Sequence, residues 1–489
     1  MRRGERDAER GTRLLITRAE LGGTGPFDVR LAGGRIAEIG PELEQSSGEP
    51  LLDASGGALL PGLHDHHLHL LALAAALGSV RCGPPEVRSL EALRGALAAA
   101  TSQGGWVRGI GYHDSVAGPL ERSQLDRLEP GRPLRIQHRS GALWMLNSAA
   151  IERLGLDRGV DAPGVERDAG GRATGRLLRL DGWLRQQWGE TAAPDLREVG
   201  RRLARFGVTG LTDTTPGNGP AELCVLSEAA LRGDLPQRLV VMGGPELPPS
   251  QCDAVERGAV KVLLRDEELP SFEELADVIR AAHRDARAVA VHCVTRAELV
   301  LTSAAFAAAG AQIGDRIEHA AVAPPDVVAL LAELPLTVVT QPNFVRERGD
   351  AYAVDVEERD RPWLYRCRGF LDAGIPLGGG TDAPFGDPDP WLAMRAAVDR
   401  RTESGIRLGP AERLTPEQAL ALFTSPPEAP GAAPRSLALG SPADLCLLDR
   451  PWSAARGELS SAHVAATLRT GSVIWASVLF REFRRDSRG

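Results

Sequence analysis

Residues 61–69 read Pro-Gly-Leu-His-Asp-His-His-Leu-His, so four of the chain's ten histidines fall within six positions. In an extended strand, side chains alternate between faces. Asp65, His67 and His69 then point one way, and His64 and His66 the other. Two imidazoles two residues apart on one face can reach the same divalent ion through neutral ring nitrogens. A His-x-His pair is weak evidence alone, and a histidine-rich surface turn would look the same. The pair gains weight only if further ligands stand at other strand ends.

Several do. The apolar runs downstream end in, or are interrupted by, polar residues where an unpartnered charge would be costly. Lys261 interrupts Ala-Val-Lys-Val-Leu-Leu, and His292 ends Ala-Val-His. His319 ends Arg-Ile-Glu-His, and Asp382 follows Gly-Gly-Gly-Thr. Imidazoles hold a divalent ion and leave positions open for water, whose pKa falls towards neutrality when bound. A neighbouring aspartate can move a proton from that water to a leaving nitrogen. Of 57 Lys+Arg residues only Lys261 is a lysine. An ammonium has no lone pair to donate to a metal. A buried amine has a lowered pKa and can take up carbon dioxide, giving a carbamate able to bridge two ions. The alternative is a buried lysine whose head reaches the surface.

These residues need a scaffold that gathers strand ends. Eight strand-like runs occur, at Ala58–His64, Thr209–Asp213, Arg238–Met242, Ala259–Leu264, Ala288–His292, Arg316–His319, Leu336–Gln341 and Ile375–Gly379. Helix-like runs separate most of them, including Pro220–Arg232, Ser271–Arg284, Thr295–Ala309, Pro324–Glu333 and Trp363–Ala373. This alternation predicts a (β/α)8 barrel whose reactive groups stand at the C-terminal strand ends. Short β-like runs at 13–60 and 443–480 predict a small β-domain assembled from both termini. The expected division is 1–60 plus 434–489 for that domain and 61–433 for the barrel. A long insertion at about 78–207 carries Trp144, Trp183 and Trp188, and an insertion of that length is expected to be functional. Residues 1–12 read as a charged, disordered tail.

Composition narrows the classes. The 489 residues are 43% apolar and 25% charged, with a net charge of −8, as in a soluble globular protein. That charge argues against nucleic-acid or anionic-membrane partners. The N-terminus has no apolar signal core and no run is long enough to span a bilayer. Six scattered cysteines without a C-x-x-C pair fit a reduced cytoplasm. A small-molecule substrate is expected, with no membrane or nucleic-acid partner, and a homodimer is carried as an expectation.

Taken in order, P-G-L-x-D-x-H-x-H, V-K, V-H, R-I-E-H and G-x-D-A-P resemble the metal-dependent amidohydrolase superfamily. Within it the chain is most similar to the YtcJ-like, amidohydrolase-three branch, which includes N-substituted formamide deformylases. Trp144-Met-Leu-Asn147-Ser148, Gly171-Arg-Ala-Thr174-Gly175, Thr340-Gln-Pro342 and Leu439-Gly-Ser-Pro-Ala-Asp444-Leu extend the match. The resemblance implies a distorted (β/α)8 barrel with a β-sandwich built from both termini. It implies a zinc-type centre of one or two ions at His67, His69, His292, His319 and Asp382, with Asp382 as general acid/base. Lys261 falls where two-metal relatives carry a carboxylated lysine. The chain departs from the pattern at Cys293-Val-Thr-Arg296, Ala142 and Arg179, which are substrate-facing positions.

The expected reaction is hydrolysis of a non-peptide carbon–nitrogen bond of the N-acyl or N-formyl type. Deamination or cyclic-amide ring opening on the same centre is the alternative. A non-catalytic metal- or ligand-binding barrel is the alternative outside enzymes. Candidate substrate contacts are His113, His138, Arg139, Asn343, Arg346 and Arg348. Trp106, Trp144, Trp183 and Phe344 are candidates for an apolar wall or for core packing.

Overall fold

The computed structural model describes residues 13–478 except Pro85, Gln103, Gly159, Asp161 and residues 188–193. The expected N-terminal tail and Trp188 lie outside the described residues. The chain forms two compact units. One comprises the segments up to Leu70 and from Leu196, and the other spans Leu71–Asp195.

In the first unit eight strands make one parallel sheet in sequential order. They are Leu63–Leu68 (β1), Val208–Asp213 (β2), Arg238–Gly243 (β3), Val255–Leu263 (β4), Val289–Cys293 (β5), Arg316–His319 (β6), Thr337–Thr340 (β7) and Leu377–Gly379 (β8). Nearly continuous burial along β1, β2, β5 and β6 is what a parallel sheet covered on both faces requires. The barrel is nearly closed. Between β8 and β1 the seam is bridged just past the strand ends, where Asp382 N donates to His67 O and His69 N to Ala383 O, each at 2.8 Å. Gly380 makes that approach possible, because a Cβ there would lie 2.4 Å from His67 Cβ.

The covering helices start at side-chain caps. Ser271 with Glu274, Thr295 with Glu298 and Thr415 with Gln418 form reciprocal capping boxes, each cap stabilising by about 1 kcal/mol. The helix expected over Trp363–Ala373 is shorter, reduced to Arg368–Asp372 after a single turn at Arg361–Trp363. The intervening backbone is drawn off elsewhere: Tyr365 N donates to Ala321 O, and Cys367 N to the buried Glu412 carboxylate.

Both chain ends meet in a second, eight-strand sheet that contains strands from Leu14–Leu21 to Ser472–Ala476. Its core joins Leu14, Ile16, Val29 and Leu31 from one end with Leu445, Leu447, Ala466 and Leu468 from the other. The apolar run expected as one strand at Ala58–His64 is divided between the two sheets. Ala58–Pro61 pairs with Leu445–Leu448, and β1 begins after Gly62. The break falls where a Cβ on Gly62 would lie 2.3 Å from Thr209 Cγ2.

The Leu71–Asp195 unit has its own six-strand mixed sheet. Its cores gather around Leu93, Val107, Tyr112 and Ile136, and around Trp106, Trp144, Ile151 and Leu184.

Candidate metal centre

The His cluster sits on a strand whose pairing is irregular. Against β2, Leu211 pairs with Asp65 but Asp213 pairs with Leu68, so β1 carries one extra residue at His66–His67. A bulge re-aims the side chains beyond it. His64 and His66 turn into the barrel wall, with ring centroids 4.6 Å apart. His64 Nε2 meets Thr212 Oγ1 at 2.8 Å and His66 Nε2 meets Ser425 Oγ at 3.0 Å. His67 and His69 take the other side, where their Nε2 atoms lie 3.5 and 3.1 Å from Asp382 Oδ1. Asp65 joins neither set. It accepts from Thr381 Oγ1 at 2.5 Å, Thr381 N at 3.1 Å and His67 N at 3.1 Å, tying the first strand to the segment that carries Asp382.

His67, His69 and Asp382 form a group whose potential ligand atoms all lie within 4.8 Å of one another. The His319 ring lies 4.7 Å from that of His67, and the His292 ring 4.4 Å from that of His319. Two backbones in this cluster are strained. His319 has φ +69° and Asp382 φ +55°, left-handed values that non-glycine residues hold only under tertiary constraint. Thr340 Oγ1 supplies part of that constraint by donating to His319 O at 2.9 Å.

The partners of the imidazoles decide which ring nitrogens are bare. His67 Nδ1 faces Glu318 Oε2 at 2.5 Å, and a carboxylate can only accept there, so Nδ1 carries the proton and Nε2 the lone pair. His319 Nδ1 meets Gln341 Oε1 at 2.6 Å, with the same result. His69 Nδ1 meets Thr215 Oγ1 at 2.9 Å. Asp382 Oδ1 is buried and accepts no hydrogen bond. Bare imidazole nitrogens therefore face an unsatisfied carboxylate oxygen, an arrangement that a divalent cation relieves. The donor set fits such an ion.

The electrostatics agree. Burial holds His67 and His319 below their ordinary pKa, and burial together with Lys261 lowers His292 to about 3. All three imidazoles are therefore neutral at physiological pH, as ligands must be. Burial works against the Asp382 charge, but contact with His69 and the other imidazoles outweighs it and holds the carboxyl well below its usual range.

Lys261 lies behind this layer, buried on β4. Its Nζ has no hydrogen-bond partner among the described residues and stands 3.7 Å from Glu318 Oε1. Burial lowers its pKa to about 8. Glu318 is the hub here. Fully buried, it contacts His67 on one oxygen and on the other Arg316 Nε at 2.5 Å, with Lys261 beyond. Burial opposes its ionisation, yet Arg316 and Lys261 hold it well below the usual carboxylate range.

Glu318, Arg316, Gln341, Thr215 and Asp65 escape sequence reasoning as site residues. The Arg-Ile-Glu-His and Thr-Gln-Pro motifs contain three of them, but motif spacing does not show which ring nitrogen each serves.

The remaining candidates fall in three places. His113, His138 and Arg139 belong to the Leu71–Asp195 unit, at the ends of its strands Val107–Tyr112 and Leu134–His138. There the two rings lie 6.0 Å apart, and each Nδ1 meets a serine hydroxyl two residues on. Trp106 and Trp144 are buried in the same unit, beneath the Arg135 guanidinium. In the first unit, Asn343 is fully buried and donates to Thr381 O at 3.0 Å, so it holds the Asp382 segment. Arg346 is half-buried. The Arg348 guanidinium stacks on Phe344, 4.0 Å from the ring centre.

Known proteins resemble the chain along most of its length. N-substituted formamide deformylase of Arthrobacter pascens is 28% identical over 510 residues, covering 91% of this chain and 94% of that protein. The YtcJ amidohydrolase of Bacillus subtilis (strain 168) is 24% identical over 477 residues, 86% of each. Among solved structures, a metal-dependent hydrolase from Pyrococcus horikoshii superposes with a TM-score of 0.73 at 20% identity, over 92% of this chain and all of that one. One from Pyrococcus furiosus gives 0.69 at 23% identity, over 90% and 99%. These two likenesses carry the fold. The sequence pattern of the amidohydrolase family matches residues 51–475, from the terminal sheet through every strand of the barrel. With the ordered His, Lys, His, His and Asp on the barrel strands or just past their ends, that match makes the chain a member of the amidohydrolase family.

Proposed function

We propose that this amidohydrolase cleaves a carbon–nitrogen bond in a small N-acyl or N-formyl amide, using zinc or a similar divalent ion. One observation carries the reading: the unsatisfied Asp382 Oδ1 stands against the ring nitrogens of His67 and His69, 3.5 and 3.1 Å away. A formamide-cleaving relative supports the bond type, because the A. pascens protein is named for that substrate class.

In this reading His67, His69, His292 and His319 hold the ion, with Asp382 beside them. The ion supplies Lewis acidity, which polarises a carbonyl and makes water nucleophilic near neutral pH. Asp382, kept anionic by its surroundings, accepts the proton of the attacking water and returns it to the leaving nitrogen. Glu318 and Gln341 fix the tautomers of His67 and His319, so that Nε2 is always the free nitrogen. Asp65 and Asn343 hold Thr381, and through it the position of Asp382. Lys261 as a carbamate would add ligands for a second ion. Against that stands the Glu318 carboxylate 3.7 Å from its Nζ, which favours the ammonium form and a single ion.

The test is a panel of N-formyl amines, N-acyl amines, cyclic amides and aminated heterocycles, assayed with metal-stripped and zinc-reconstituted protein. Zinc-dependent release of formate or another acid with an amine is the expected result. Ammonia release from the heterocycles alone would assign a deaminase. Metal binding without turnover on any class would leave a binding protein.

A further inference from the structure

Residues 299–314, Leu-Val-Leu-Thr-Ser-Ala-Ala-Phe-Ala-Ala-Ala-Gly-Ala-Gln-Ile-Gly, hold no charged side chain in a chain that is 25% charged. Most of this run is the helix Arg296–Ala309, which follows β5. Its inner side buries Glu298, Leu299, Thr302, Ser303, Ala305 and Phe306. A surface helix ordinarily turns charged residues to water on its other side. Here the outer side is apolar as well: Ala297, Val300, Ala304, Ala307 and Ala308 are exposed. Arg296, Ala297, Val300, Leu301 and Ala304 line a shallow depression there. The helices Phe272–Arg284 and Pro325–Ala332 both pack against this one. Of the fifteen large apolar residues exposed among the described ones, six lie between Phe272 and Leu330: Phe272, Val278, Val294, Val300, Ile313 and Leu330. Exposed apolar surface is therefore gathered on these helices rather than scattered, which marks an interaction surface.

The charges around the face suit a second copy of it. On the helix Phe272–Arg284, Glu273 and Asp277 stand towards the start and Arg284 at the end of one exposed stripe at helical spacing. On the other flank Arg296 pairs with Asp326 at one end of Pro325–Ala332, and exposed Glu333 follows its other end. A two-fold axis across the middle of Arg296–Ala309 sets every helix antiparallel to its copy. Glu273 then meets Arg284 of the second copy, and Glu333 meets the second copy's Arg296–Asp326 pair. The alanines let the two central backbones approach closely. We propose that this face is the interface of a homodimer in which Arg296–Ala309 packs antiparallel on itself. The helix has 14 residues and spans about 21 Å, and flanking helices about 10 Å away widen the face to roughly 500 Å² per copy. Twice that area is the lower end for a specific interface, so the dimer is expected to be reversible. The inference is independent of the bond that the enzyme cleaves.

Sedimentation velocity on the full chain over a wide concentration range is expected to show a reversible monomer–dimer equilibrium. Ala304→Arg adds an exposed charge that meets its own copy near the axis, and should raise the dimer Kd by at least about 100-fold. Circular dichroism checks that the variant is folded, and Val300→Glu replaces it if it is not. Glu273→Arg or Arg284→Glu alone should raise Kd by about 3- to 10-fold, because each exposed pair occurs twice across the axis. Glu273→Arg combined with Arg284→Glu should restore the wild-type value. A monomer at every concentration overturns the inference and leaves the face to a different partner. A dimer indifferent to both Ala304→Arg and Val300→Glu overturns it too. A dimer that Ala304→Arg dissociates, but that the combined exchange does not restore, upholds the face and overturns the antiparallel arrangement.

Discussion

Glu318 Oε2 stands 2.5 Å from His67 Nδ1 although 251 residues separate the two in sequence. The same carboxylate neutralises Arg316 and faces Lys261, so one buried anion orients an imidazole of the centre and balances two cations. We expect Glu318→Gln to weaken zinc affinity by about 10- to 100-fold, the usual effect of removing a partner behind a ligating histidine. It should also destabilise the fold by about 3–5 kcal/mol by leaving buried cations unpaired. Competition with a zinc chelator and urea unfolding check both. Unchanged affinity would remove Glu318 from the centre.

Asp382→Asn should keep the fold and most of the metal while losing about 10²- to 10⁴-fold in kcat, since an amide cannot carry the proton. His67→Ala should instead lose metal. Metal analysis beside single-turnover rates separates the two. Wild-type turnover in Asp382→Asn would show that the proton moves elsewhere.

The barrel and the inward-facing histidines are legible in the sequence because each is a polar residue ending an apolar run, and such runs repeat eight times. The parts that escape depend on register across the sheet. Gly62 divides an apolar run against Thr209, 147 positions away, and although Pro61-Gly62 marks a break locally, it does not show that the chain changes sheet there. Glu318 lies inside a recognised motif, yet its role follows from which atom of His67 it meets. Asn343, expected at the mouth as a substrate contact, is instead buried against the Thr381 carbonyl.

Glu347 is a half-buried carboxyl whose pKa is raised by desolvation from 4.5 to about 7, against the hydrogen bonds from Asp387 N and Asn343 and the nearby Arg348 charge, which favour its anion. A raised folded-state pKa adds stability in full below the unfolded value, and that stability is lost as pH rises through the folded one. The window here runs from about pH 4.5 to 7. We expect Glu347→Gln to match wild type near pH 5 and to exceed it by about 1–3 kcal/mol at pH 8, where the wild-type side chain is charged. Urea unfolding at the two pH values reads this directly. An equal difference at both would mean that Glu347 does not titrate there.

Lys261 separates a one-ion from a two-ion centre, and its being the chain's only lysine makes the test clean. Two features of its surroundings pull in opposite directions. Burial that lowers its pKa to about 8 leaves part of the population as the free amine that carbon dioxide requires. The Glu318 carboxylate 3.7 Å away stabilises the ammonium and would repel a carbamate. A second cation between them would reverse that balance, so carboxylation and occupancy of a second site should rise together. Metal-stripped protein reconstituted with labelled bicarbonate and increasing zinc should show no side-chain carbamate at one zinc per chain. The N-terminal amine is the sole competing signal, removable by acetylation. A carbamate appearing only as zinc approaches two per chain, and absent from Lys261→Arg, would establish the bridged centre. One zinc at saturation with no carbamate would fix Lys261 as the counter-ion of Glu318. Lys261→Arg should then keep its metal, because the guanidinium preserves the charge that the buried carboxylate needs.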